Sequence, residues 1–169
     1  RVRRMEKLLD DLLTYSRAGR VRHAPELVDT QNLVQEAVAD LSVPPGFSVE
    51  IAGPLPALYT ERVPLATVFR HLVENAYKHH DRPPSGSVRI SAEEGEAAVV
   101  FAVSDNGPGI DPAYHERVFV MYQTLKPRDE VEGSGIGLAL VKKIVESRGG
   151  AVRVASAVGE GATFFVTWP

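Results

Sequence analysis

The stretch VRISAEEGEAAVVFAVS, residues 88–104, constrains the fold more than any other. Two strand-like runs, VRISAEE (88–94) and AAVVFAVS (97–104), are joined through Gly95, which predicts a β-hairpin. A second pair, AVRVAS (151–156) and ATFFVTW (162–168), closes the chain, and FSVEIA (47–52) adds a short strand after Pro44, Pro45 and Gly46. Strands that come in hairpins predict an antiparallel or mixed sheet. Between them lie amphipathic segments: TQNLVQEAVADL (30–41), a helix over 61–80 with Pro64 in its first turn, and a helix over 135–148 ended by Gly149 and Gly150. A short helix is expected at 112–118, a loop at 81–87 and irregular chain over 120–134. The fold class is therefore α+β: a two-layer α/β sandwich, with a mixed, mostly antiparallel sheet and three long helices on one face.

Residues 1–18 read as a further helix outside this sandwich. Val2, Met5, Leu9, Leu12 and Ser16 recur at helical steps, with Leu8 and Leu13 beside them, and such a stripe needs a partner to bury it. Gly19 ends it, and the segment around Pro25 reads as a linker. The chain thus divides into a helix over 1–20, a linker over 21–29 and a main domain over 30–169. Hydrophobic residues make up 44%, enough for a sizeable core. A net charge of −3 offers no basic surplus, so no nucleic-acid partner is expected. The absence of cysteine removes disulfides, thiolate metal sites and cysteine nucleophiles. No apolar run reaches membrane-spanning length, and a chain beginning at Arg1 is expected to be a piece of a longer one.

Three stretches carry chemistry. On the 61–80 helix, His71, Asn75, Lys78 and His79 fall on one face, opposite the core positions Val68, Leu72 and Ala76. The Asn oxygen suits Mg²⁺, and a Lys one turn later can meet a phosphate. A solvated polar face gives the same pattern. DNGPGI follows a strand directly, which puts Asp105 at the strand's C-terminal edge and starts a turn at Asn106 and Gly107. That carboxylate can accept from an exocyclic amine such as adenine's, and Gly107 and Gly109 permit close backbone approach. An ordinary tight turn also looks like this. In GSGIGLAL, Gly133, Gly135 and Gly137 open a helix whose free N–H groups and dipole favour an anion. No βαβ unit surrounds it and no Gly-Lys-Ser/Thr follows, so it is neither a dinucleotide fingerprint nor a Walker loop. A plain hinge before a helix is the alternative.

Taken together and in order, these stretches resemble the catalytic ATP-binding domain of two-component sensor histidine kinases, of the Bergerat (GHKL) fold, over residues 30–169. HLVENAYKHH resembles the N box, DNGPGI the first glycine box, RVFVMYQTL (117–125) the F box, GSGIGLALVKKIVESRGG the second glycine box and its helix, and GEGATFFVTWP the closing strands. QTLKPRDEVEGSGIGL is similar to the lid of phytochrome-type kinases, and MEKLLDDLLTYSRAGR to the second helix of a dimerisation and phosphoacceptor hairpin. The first helix of that hairpin, which would bear the phosphorylated His, has no counterpart among the five histidines.

The resemblance implies an ATP site with Mg²⁺ on Asn75 and phosphates met by Lys78 and His79. It implies that Asp105 reads the adenine amine, that Gly107, Gly109 and Ile110 line the base, and that Thr163 sits at the adenine edge beside Asp105. Gly133, Ser134, Gly135, Ile136, Gly137 and Leu138 would wrap the phosphates, with Lys126 and Arg128 reaching from the lid, while Phe119 and Tyr122 anchor the lid base. One departure stands out: the family's first N-box Asn is His71, which either takes over a metal contact through its imidazole or points elsewhere. GHKL hydrolases carry a Glu there, so hydrolysis is disfavoured, and Glu74 points about a hundred degrees away from Asn75. The implied partners are ATP, the parent kinase's phosphoacceptor hairpin and a response-regulator receiver domain, with homodimerisation through residues 1–18 and a cytoplasmic setting. The competing expectations are a degenerate docking module without kinase activity and, behind it, an ATP hydrolase.

Overall fold

The computed structural model describes residues 2–122 and 135–169. The hairpins form as expected. β4 (Ser87–Glu94) and β5 (Val99–Asp105) pair antiparallel, as do β6 (Ala151–Ser156) and β7 (Ala162–Trp168). β5 also pairs antiparallel with β7, which joins the two hairpins. β2 (Ser48–Ile51) adds parallel to β4 at one edge, giving the order β2-β4-β5-β7-β6. The sheet is therefore mixed and mostly antiparallel.

Alternation decides which face is covered. Along β7, Ala162, Phe164, Val166 and Trp168 are buried, and the residues between them are not. Val88 and Ile90 on β4, with Phe101 and Val103 on β5, point the same way. Against this face pack α2 (Thr30–Ala39), α3 (Arg62–Lys78) and α4 (Gly137–Glu146), with α3 in the middle. α3 presents Val68, Phe69, Leu72 and Ala76, and Phe69 meets Phe101 edge to face at 5.1 Å. Asp29 caps α2 by accepting from the N–H groups of Gln31 and Asn32. The short helix expected at 112–118 is two 3-10 turns, Pro112–Tyr114 and Arg117–Phe119.

Two features differ from expectation. The segment 21–29 ends in a strand, β1 (Glu26–Asp29), which pairs antiparallel with β3 (Ala57–Thr60) in a ribbon of its own. β7 meets this ribbon where the buried Trp168 indole N–H donates to Thr60 Oγ1 at 2.8 Å. The N-terminal helix, α1 (Val2–Arg17), is also not apart from the sandwich: Leu8, Leu12, Tyr15 and Ala18 pack on its core. Cations from α4 and from just beyond its end bond carbonyls where α1 ends. Lys143 Nζ donates to Tyr15 O at 2.8 Å, and Arg148 Nη1 donates to Ala18 O at 3.3 Å. Arg148 also pairs with Glu61 at 2.5 Å, with only 8% and 13% of the two side chains exposed. The rest of the stripe, Val2, Met5, Leu9 and Leu13, is more than half exposed.

Candidate active site

The walls of the site come from three places. α3 ends at Lys78, and its outward side near that end carries Asn75 and His79. β5 ends at Asp105 and gives way to the DNGPGI turn. β7 lies beside β5 with Ala162 opposite Asp105. One cleft is lined by Asn75, Ala76 and His79, by Asp105, Pro108, Gly109 and Ile110, and by Ala162 and Phe164. The N-box helix and the first glycine turn thus meet. A larger cavity of about 510 Å³ lies beneath the C-terminal end of α1, lined by Leu13, Val63 and Arg148 among others, and shares no residue with the cleft. The smaller cleft is the candidate site because the motif residues converge there.

Asp105 is half-buried, and burial pushes its carboxyl above the usual range against the N–H groups of Gly107 and Ala162, which favour the charged form. Gly107 N–H donates to Asp105 Oδ1 at 2.9 Å, which fixes the side chain at the mouth of the turn. Gly109 has φ +77°, and a Cβ there would stand 2.0 Å from Ala157 O. The close approach that needs this glycine is therefore to the protein's own backbone rather than to a ligand. Ile110 is held by its N–H, which donates to Ser156 Oγ at 2.7 Å.

The four polar residues of α3 do not act as one face. Asn75 and His79 line the cleft. Lys78 bonds Glu74, and Glu74 also accepts from Lys7 of α1 at 2.7 Å. Burial alone would raise the Glu74 carboxyl, but the two lysines outweigh it and hold it at about 2. His71 is not among the cleft-lining residues. Its Nδ1 would be 3.2 Å from a Cβ on Gly137, at the start of α4, and burial pushes its pKa down to about 4. A neutral imidazole placed there does not fit a magnesium ligand, since this ion prefers oxygen. Asn75 does fit, as a single hard oxygen beside the space where phosphates would lie. Among the described residues no group of three or more His, Asp or Glu side chains could hold a metal.

The structure moves other expected site residues. Thr163 was expected beside Asp105, but strand alternation puts it on the opposite face of the sheet. Its hydroxyl shares a 2.7 Å hydrogen bond with Ser104, and Ala162 is the residue at the cleft. Ile136 is fully buried in the core and Leu138 packs against that core, so both are fold residues first. Gly135 has φ +75° and accepts from Tyr122 N–H at 2.8 Å. Phe119 meets Phe164 edge to face at 6.0 Å and packs against the core. Gly133, Ser134, Lys126 and Arg128 lie outside the described residues. His80, which sequence reasoning passed over, is buried between α3 and the turn.

A helix-on-sheet sandwich with an Asn-bearing helix facing a strand-end Asp and a glycine turn defines a class of nucleotide-binding catalytic domain. Residues 60–169 match the family of histidine kinase-, DNA gyrase B- and HSP90-like ATPases, and the chain belongs to it. It is a histidine-kinase-type catalytic domain, homologous to sensor histidine kinases. Phytochrome-like protein Cph1 of Synechocystis is 39% identical over 98% of this chain and 22% of its own length. The methanogenesis regulatory histidine kinase FilI of Methanothrix harundinacea is 34% identical over 99% of this chain and 19% of its own. The chain thus spans about a fifth of these relatives. Full-length ShkA in complex with AMPPNP superposes with a TM-score of 0.80 at 26% identity, over 96% of this chain and 35% of that one. The catalytic domain of the histidine kinase ThkA shares the fold, with a TM-score of 0.71 at 22% identity, over 87% of this chain and 96% of that one.

Proposed function

We propose that the cleft binds Mg²⁺-ATP and that, in the parent protein, the γ-phosphate passes to a His on a helix preceding α1, for relay to the receiver domain of a response regulator in the cytoplasm. The observation that supports this most is the meeting of Asn75 and His79 with Asp105, Gly109 and Ile110 in one cleft. Asp105 accepts from the adenine amine, and Ile110 and Phe164 cover the base. Asn75 holds the metal through its carboxamide oxygen. Bound there, Mg²⁺ neutralises phosphate charge, which is the main need of phosphoryl transfer. Lys78 and His79 steady the phosphates, and Lys78 reaches them by exchanging its bond to Glu74. His71, half-buried and outside the cleft with a pKa of about 4, is no base for an attacking water, so hydrolysis is slow. Through the exposed half of the α1 stripe, two copies pair.

Calorimetric titration of AMPPNP with and without Mg²⁺ tests the site. Asp105→Ala should weaken binding at least about tenfold, since it removes a partly buried charge-assisted bond. Asn75→Ala should abolish the Mg²⁺ dependence. Binding unchanged in both variants would refute the assignment. Transfer of labelled phosphate from ATP to a separately supplied His-bearing hairpin then tests the reaction.

A further inference from the structure

We infer that His80 is a positioning residue that sets where the adenine-reading carboxylate stands relative to the metal-bearing helix. His80 follows the end of α3 by two residues, and its side chain is 3% exposed. Its ring makes two hydrogen bonds of different sense. Nδ1 accepts from Arg82 N–H at 2.8 Å, so that nitrogen carries no proton. The proton is therefore on Nε2, which donates to Asn106 Oδ1 at 2.8 Å. The Asp81 carboxylate stands 3.5 Å from Nδ1, on the same side as the accepted bond.

Asn106 turns both ends of its carboxamide to this corner. Its Oδ1 also accepts from Ser87 N–H at 2.8 Å, and its Nδ2 donates to Ser85 O at 3.3 Å. The ring is wedged in place as well. Phe47 meets it edge-on at 6.0 Å, and a Cβ on Gly86 would stand 2.9 Å from His80 Cδ2 and 2.6 Å from the Phe47 ring. Asn106 lies between Asp105 and Gly107, and Gly107 holds the Asp105 carboxylate. The imidazole thus ties the end of the helix bearing Asn75 and His79 to the turn that aims Asp105. Without the tie, the turn keeps its sheet bonds but loses its register against α3, and the loss falls on the base rather than on the phosphates.

The inference rests on Asp105 reading the adenine amine, so the test includes a nucleotide without that amine. ATP and inosine triphosphate, each with Mg²⁺, are titrated calorimetrically into the wild type, His80→Asn and His80→Gln. Asn at this position keeps an acceptor for Arg82 N–H but is too short to reach Asn106. Gln keeps a donor at the distance of Nε2. The wild type should prefer ATP. His80→Asn should weaken ATP about tenfold and leave inosine triphosphate unchanged, and His80→Gln should retain the wild-type ratio. Equal losses for both nucleotides in His80→Asn, or no loss at all, would overturn the positioning role. If His80→Asn does not fold, a fallen ratio in His80→Gln overturns it. A wild type that does not distinguish the two nucleotides refutes the adenine reading itself, and the wild-type titration shows this before any variant is made.

Discussion

His71 shows how much one substitution within a motif can alter a residue's task. The position faces α4 and α1 rather than the cleft, and Asp11, Arg70, Glu74 and Lys7 are the charges around it. Its folded pKa of about 4 lies below the ordinary 6.5, so the unfolded chain takes up the proton first as the pH falls. The stability this neutral ring confers is complete above 6.5 and is lost as the pH drops towards 4. Urea denaturation at pH 7 and pH 5 should show the protein losing about 1–2 kcal/mol between them, and His71→Gln should lose distinctly less. Equal losses would mean the ring is solvated. Glu74 acts in a lower window, since its carboxyl, held at about 2, loses its stabilising effect only below its ordinary 4.5.

At the scale of elements, the junction of α1, α3 and α4 is the part most sensitive to a single charge. Glu61 and Arg148 are both largely buried, and Arg148 also reaches Ala18 O. Glu61→Gln leaves the guanidinium without its counter-charge and should cost about 3 kcal/mol in thermal or urea unfolding, whereas an exposed pair would cost under about 1. Hydrogen exchange in α1 should rise in the same variant, because the cation bonded to the Ala18 carbonyl, just past the end of α1, loses its anchor. The sequence shows why some elements are legible and others are not. β4 and β5 are long enough for alternation to register, and Val68, Leu72 and Ala76 mark the inner face of α3 directly. ELVD and ALYT have four residues each and pair across the whole of α2, so no local pattern marks β1 or β3. Thr163 stands one step of a two-residue period from the cleft residue Ala162, enough to carry it through the sheet. His80 gave no signal, because Asn106, Ser87 and Phe47 gather around it only in the folded chain.

For the whole molecule, the exposed row Val2, Met5, Leu9 and Leu13 runs along a helix whose other side is already committed to the sandwich. Sedimentation across a range of concentrations should show reversible self-association, and Leu9→Glu should leave a monomer with unchanged nucleotide affinity. A wild type that stays monomeric throughout would refute pairing through this row. The cleft and this row lie on different parts of the molecule, so the two measurements are independent. The last strand adds a practical property. Trp168 is the sole tryptophan, fully enclosed, with its indole N–H given to Thr60. The chain therefore carries a built-in optical gauge: near-ultraviolet emission that reports whether the sheet and the small ribbon are still joined.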